Sequence, residues 1–307
     1  MGSLTLRARA AVAATSVKNA FGRHEPRLSL LTDFGNGDEA VYAIKSAALS
    51  VAPKARIGDI CHNVPLGNIL LGAWRLSRAA GLPTEREGTA YVAVVDPGVG
   101  SQRRNVAVRS RDGRFFVGPD NGVLSLALAQ GGVAEAVEIE NVSLTLLHLA
   151  RSRTFHGKDV FAPVAAHILR GVPLSEFGRP LEPSTLARIM ISAECSERSR
   201  AGYLVDVDGF GSIRTNVPNH VPEDAVGSLA GFEIEGPKGA SGHARIVRTF
   251  TEAGKGEPVF VLSSTGCLDL AVNLGSASEK FSIPPEAIGL DAELRPSSRI
   301  RISFGQA

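Results

Sequence analysis

Apolar positions follow two different rhythms along this chain. Up to about Pro183, short apolar runs that stop at an acidic or glycine-containing turn alternate with stretches of helical spacing. Leu28, Leu30 and Leu31 predict a first strand that runs into Thr32, Asp33, Phe34 and Gly35. A helix is predicted from about Glu39 to Val51, closed by Pro53, then a short strand from Arg56 to Ile60 and a helix from Ile69 to Ala80 ended by Gly81. The clearest strand, Ala90 to Val95, leads into Asp96, Pro97, Gly98, Val99 and Gly100. Val106 to Val108 and Phe115 to Val117 predict a hairpin around Asp112 and Gly113, and a helix from about Leu124 to Ala129 follows Asp120, Asn121 and Gly122. Alternation of this kind predicts an α/β layer domain.

After Pro183 the rhythm changes. Arg188 to Arg200 is expected to be a linker or connecting edge. Beyond it, Tyr203 to Val207, Ala244 to Val247, Val259 to Leu262 and Arg299 to Phe304 are short β-rich segments set apart by Gly and Pro, a pattern expected of a small barrel or sandwich. The predicted organisation is an extension over 1–26, an α/β layer domain over 27–187, and a smaller all-β domain over 188–307.

Composition adds limits more than direction. With 307 residues, 44% hydrophobic and 21% charged, the chain can bury real cores and is not expected to be disordered. No stretch approaches the roughly 18 uninterrupted apolar residues of a membrane span. The net charge of +2 hides an uneven distribution. Arg7, Arg9, Lys18 and Arg23 stand in a segment without an acid, leaving the rest slightly acidic and without the basic stripe a nucleic-acid partner needs. Residues 1–26 therefore have the make-up of a weak targeting segment, or equally of an extension without an address. Three scattered cysteines, Cys61, Cys195 and Cys267, make neither a disulfide framework nor a zinc site and suit a reducing, cytoplasmic setting.

The candidate chemistry begins with acids. Asp33, Asp59 and Asp96 each follow an apolar strand, and in open α/β sheets ligands sit outside the carboxyl ends of strands. Any one of them could simply open a turn, but three in series are expected to face a common crevice. Gly98 and Gly100 allow close backbone approach, and Arg103 can fold back onto Asp96. A dinucleotide-binding loop is excluded, because Arg103 stands where its third glycine would be. His156 is crowded between Phe155 and the Gly157, Lys158, Asp159 run, unlike a packing histidine. The seven histidines form no metal-binding pair, and neither a nucleophile elbow nor a P-loop is present.

Taken together the motifs are recognisable. LTDFG at 31–35, DICH at 59–62, VVDPGVG at 94–100, GPDNG at 118–122, FHGKD at 155–159 and GRPL at 178–181 occur in this order, followed by Phe210 and Gly211, Thr215 and Asn216, and GCLDLA at 266–271. Over roughly residues 28–304 the chain resembles the S-adenosylmethionine hydroxide adenosyltransferases, relatives of the fluorinase and chlorinase that make 5′-halo-adenosines. The resemblance implies an N-terminal α/β domain, a C-terminal β-barrel, and a homotrimer with active sites between neighbouring subunits. It implies hydrolysis of S-adenosyl-L-methionine to adenosine and L-methionine, without metal or cofactor, because the sulfonium is already a good leaving group. By motif, Asp96, Arg103 and His156 fall on the triad that positions and activates water, and Asp33 on the ribose-binding acid. Asp208, Ser212 and Ser264 fall on positions at the methionine and adenine ends, and Asp38, Phe155, Gly157, Asn216 and Leu274 complete the implied substrate-binding set.

In the halogenases the Asp96 position is Tyr, the His156 position carries an aromatic hydroxyl, the Gly157 position is the halide-contacting Ser, and a long insertion precedes the GPDNG loop. Here only a short hairpin joins Val108 to Gly118, so water is expected over halide. Ser212 stands where the family usually has Asn, Lys158 where it has Arg, Thr265 departs from the usual residue, and Leu66 and Gly67 offer no aromatic platform. A halide adenosyltransferase and a binding protein without turnover remain the alternatives.

Overall fold

The computed structural model of the chain describes residues 26–304, apart from 86, 148 and 150–153, and the predicted targeting segment lies, but for Pro26, outside the described residues. Contacts divide the chain into two units, the first ending at Arg188 and the second beginning at Ile189.

The first unit is built on a six-stranded sheet in the order β2-β1-β3-β5-β4-β6. Its strands are β1 (Arg27–Thr32), β2 (Arg56–Cys61), β3 (Ala90–Val94), β4 (Asn105–Ser110), β5 (Phe115–Pro119) and β6 (Val133–Glu138). β2, β1, β3 and β5 run parallel, whereas β4 is antiparallel to both of its neighbours. The period-two alternation of these strands splits the core in two. Leu28, Leu30, Val92 and Val94 face helices α1 (Ala40–Val51) and α4 (Ala162–Leu169) on one side. Leu31, Tyr91, Ala93 and Val95 face α2 (Ile69–Ala80) and α3 (Ser125–Gly131) on the other. Covered on both faces, β3 is buried along its whole length, which is why it reads as an unbroken apolar run.

Two elements of this unit escape a reading by periodicity. α4 is apolar almost all round, with Pro163 in its first turn, so it shows no helical stripe. It is preceded by a π-helical turn, Gly157–Phe161, a local widening that the sequence does not signal. β6 alternates only weakly and follows Gly132, whose φ of 66° ends α3.

The second unit is a closed barrel of seven strands: β8 (Ser199–Val207), β9 (Ile213–Thr215), β10 (Leu229–Glu235), β11 (Ala240–Val247), β12 (Pro258–Leu262), β13 (Leu268–Val272) and β14 (Arg299–Phe304). Pairing of β14 with both β10 and β8 closes it, so no backbone edge is left open around the barrel. Arg188 to Arg200, expected as a linker or connecting edge, is partly sheet. β7 (Glu194–Cys195) pairs with Ala201 and Arg200, and Arg200 itself is buried, its guanidinium donating to the His220 carbonyl at 3.0 Å. Among the described residues no helix is long and apolar enough to cross a membrane.

Candidate active site

Because β1 and β3 are parallel neighbours, their carboxyl ends deliver Asp33 and Asp96 side by side. Both line a cavity of about 360 Å³ whose walls include Phe34, Leu66, Gly67, Pro97, Val99, Phe155, His156 and Gly157. Asp59 does not join them. It lies inside β2, opposite Leu30, and its carboxylate accepts from Lys45 Nζ at 2.6 Å and sits 3.1 Å from His62 Nε2. The expectation of three acids facing one crevice is corrected to two, because β2 extends two residues past Asp59.

Asp33 is half-buried, and its Oδ2 accepts the Gly67 N–H at 2.8 Å. Burial pushes its carboxyl up from the ordinary range, with the nearby Asp96 adding to the shift and the Gly67 N–H opposing it. Asp38 lies outside this cavity lining. It is exposed, and its carboxylate accepts the Ala40 N–H at 2.9 Å where α1 begins.

Asp96 and Arg103 form a nearly enclosed ion pair, with side chains 4% and 10% exposed. Arg103 Nε donates to Asp96 Oδ1 at 2.8 Å, and Nη2 reaches Asp96 Oδ2, a two-pronged contact that fixes the guanidinium plane. Gly100, at a φ of 81°, makes the turn that returns the chain for this contact. Gly98 is not held to glycine by crowding, since a Cβ there would meet only ordinary contacts of 3.4 Å or more. Arg103 Nη1 donates to Asn105 Oδ1, and the guanidinium lies 5.7 Å from the centre of the Phe161 ring.

His156 enters from the turn before the π-helical segment, with Nδ1 3.0 Å from Arg103 Nη2. A guanidinium only donates, so Nδ1 is the acceptor and the neutral ring carries its proton on Nε2. Burial holds the imidazole pKa below the ordinary histidine range, and Arg103 lowers it further against Asp96 and Asp159. Phe155 packs edge-on against Phe34 at 5.6 Å, and a Cβ on Gly157 would come within 3.1 Å of Ile44 Cδ1. The arrangement can hold a water molecule between fixed donors beside an apolar wall. Among the described residues no group of three or more His, Cys, Asp or Glu side chains could hold a metal ion.

The remaining sequence candidates belong to the barrel. Asp208 organises the turn between β8 and β9: its Oδ1 accepts the N–H groups of Phe210 at 2.9 Å and Ser212 at 3.0 Å. Gly211 abuts Ser276 and its carbonyl accepts the Ser278 N–H at 2.9 Å, joining this turn to the segment after β13 that carries Leu274. Leu274 is exposed at a φ of 55°, and Phe210 beside Asp208 is 87% exposed. Asn216 and Ser264 lie toward the other end of β9. Asn216 Oδ1 accepts the Tyr203 N–H at 2.6 Å, and Ser264 is exposed in the turn between β12 and β13. Phe34, Pro97 and Phe210 stand inside the recognised motifs but were given no role there, whereas Asn105 and Phe161 lie outside every motif.

Family models for the SAM hydroxide adenosyltransferase N-terminal domain and C-terminal domain match residues 28–178 and 202–288. The chain is 36% identical over 263 residues to the (R)-S-adenosyl-L-methionine hydrolase of Salinispora tropica, covering 85% of this chain and 95% of that protein. It is 35% identical to the protein of the same name from Thermus thermophilus, over 82% of this chain and 94% of that one. A fluorinase of Actinopolyspora mzabensis is 26% identical over 84% of this chain and 94% of its own. Among solved structures, an uncharacterized conserved protein from Thermotoga maritima superposes with a TM-score of 0.77 at 30% identity, covering 90% of this chain and 99% of that chain. With both domain models matched in order and relatives above 30% identity spanning most of its length, the chain belongs to the SAM hydroxide adenosyltransferase family.

Proposed function

We propose that the protein hydrolyses S-adenosyl-L-methionine, in the (R)-sulfonium form named for its hydrolase relatives, to adenosine and L-methionine. The observation that carries this reading is the Asp96–Arg103–His156 chain of contacts, whose two ends, Asp96 and His156, line the cavity. Water attacks the ribose C5′ as the C5′–S bond breaks. The electron pair leaves with sulfur, the sulfonium becomes a neutral thioether, and one proton is released to solvent. The leaving group needs no acid, metal or redox group, so the protein's task is to hold a weak nucleophile in line. Arg103 is fixed by Asp96 and Asn105, and the His156 Nε2–H adds a second donor. Both favour the hydroxide character that develops on the attacking oxygen. Asp33 binds the ribose hydroxyls.

The same proposal includes a homotrimer in which the barrel of a neighbouring copy brings Asp208, Ser212 and Leu274 to the substrate. It places the protein in the cytoplasm unless residues 1–26 direct it to an organelle. Light scattering of the purified protein tests the trimer, and a monomer with full activity would overturn it.

The activity is tested by incubating the protein with S-adenosylmethionine in chloride-containing buffer and separating the products. Adenosine with methionine supports the hydrolase. A 5′-chloro-adenosine product overturns it in favour of halide transfer, and adenosine binding without turnover overturns it in favour of a binding protein.

A further inference from the structure

β1 and β2 end side by side, and the two turns that leave them form adjoining walls of the active-site cavity: Asp33 and Phe34 from one, Leu66 and Gly67 from the other. Between these turns lies a closed polar junction. Thr32 is fully buried and His62 is 6% exposed, and Thr32 Oγ1 lies 2.9 Å from His62 Nδ1. The Phe34 N–H donates to the same Oγ1 at 3.4 Å, and the Gly35 N–H donates to the His62 carbonyl at 2.6 Å. The Gly67 N–H completes the junction on Asp33 Oδ2.

The Asp59 carboxylate, which Lys45 holds from α1, faces His62 Nε2 at 3.1 Å and favours a ring proton there. With that tautomer Nδ1 is the acceptor for the Thr32 hydroxyl, whose oxygen in turn accepts from the Phe34 N–H. An apolar residue at 62 would leave the buried Thr32 hydroxyl without its acceptor and would release the turn that carries Asp33.

We propose that His62 is a positioning residue for the ribose of the substrate. It does not touch the cavity, and acts through Thr32 and the Gly35 N–H to fix the Asp33 carboxylate. The ribose role of Asp33 rests on the function proposed above, but the junction itself does not. A ribose displaced by a fraction of an ångström also turns C5′ away from the water held at Arg103, so the effect reaches the rate as well as binding.

The experiment compares wild type with His62→Ala, His62→Asn and Thr32→Val in the full chain. Three quantities are measured: hydrogen exchange of the peptide carrying the Phe34 and Gly35 amides, the melting temperature, and the ratio of affinities for adenosine and 2′-deoxyadenosine. The Asn amide oxygen can take the place of Nδ1, so His62→Asn is expected to retain most of the wild-type ratio. In His62→Ala and Thr32→Val the exchange is expected to quicken and the ratio to fall by roughly tenfold. Thr32→Val keeps the buried volume, so it reads the junction even where His62→Ala fails to fold. Unchanged exchange in Thr32→Val would overturn the junction. A lowered melting temperature with an unchanged affinity ratio would leave only a structural role and overturn the positioning. A wild type that does not discriminate the two nucleosides would instead overturn the ribose assignment of Asp33.

Discussion

Arg103 holds its guanidinium 3.0 Å from His156 Nδ1, so this imidazole cannot take a second proton there without bringing two cations into contact. Burial and Arg103 act in the same direction on His156, and both depress its pKa. The neutral ring with its proton on Nε2 therefore persists to a lower pH than an ordinary histidine, whose pKa is about 6.5. Hydrolysis is expected to hold its rate as pH falls through 6.5 and to decline only below it. The same sign applies to stability, since the unfolded chain binds this proton more readily and acid favours unfolding. A kcat/KM profile between pH 5 and 9 checks the first point, and an acid limb centred at or above 6.5 would contradict it.

The Asn105 side chain meets Arg103 at Nη1, on the side of the guanidinium away from its Asp96 contacts. Its removal is expected to leave the Asp96 pair in place and loosen the plane in which Nη2 meets His156. For Asn105→Ala we expect kcat to fall at least about tenfold, in line with the low end of about 1.5–3 kcal/mol for one hydrogen bond to a charged group, with KM little changed. A loss seen in KM alone would place Asn105 outside the water-holding geometry.

How far the sequence reached depends on what each feature needs. β3 was legible because a strand buried on both faces is apolar throughout, and β1 from Leu28, Leu30 and Leu31; Asp33 and Asp96 stood out as the acids that follow these runs. Asp59 misled for the same reason. The apolar residues around it resemble a strand end, but β2 is an edge strand whose burial alternates weakly, and its last residues Ile60 and Cys61 continue the pairing. α4 was not legible, since a helix apolar on every side gives no stripe to count. The motifs placed Arg103 and His156 in one short stretch each, but their 3.0 Å contact joins residues 53 positions apart and exists only once β3, β4 and the π-helical turn are in place.

Gly118 sits in β5 where an added Cβ would come within 2.6 Å of the Ala93 carbonyl oxygen on β3. Both atoms belong to the paired backbones at the centre of the sheet, so neither can yield as a side chain would. Gly118→Ala is expected to cost about 1–3 kcal/mol and to lower activity through the displaced end of β3, which leads into Asp96. Urea denaturation measures it. A change within about 0.5 kcal/mol would mean that the strands separate there without strain.

Asp269 on β13 is 9% exposed, and one of its carboxyl oxygens is buried without a hydrogen-bond partner among the described residues. Burial pushes its pKa up to about 6, with Asp208 adding to the shift, while the Ser263 hydroxyl and the Arg214 charge pull the other way. The sign follows from proton counts: between about pH 4 and 6 the folded protein holds this proton and the unfolded chain has lost it. Stability is therefore lost as pH rises through that window, and above it the ionised buried carboxylate costs on the order of 3 kcal/mol. Asp269→Asn removes the charge and keeps the shape. It is expected to raise the melting temperature at pH 8 and to leave it nearly unchanged at pH 4, where the wild-type carboxyl is already neutral. A variant less stable than wild type at pH 8 would show that the charge of Asp269, through Arg214, contributes more to the barrel than its burial costs.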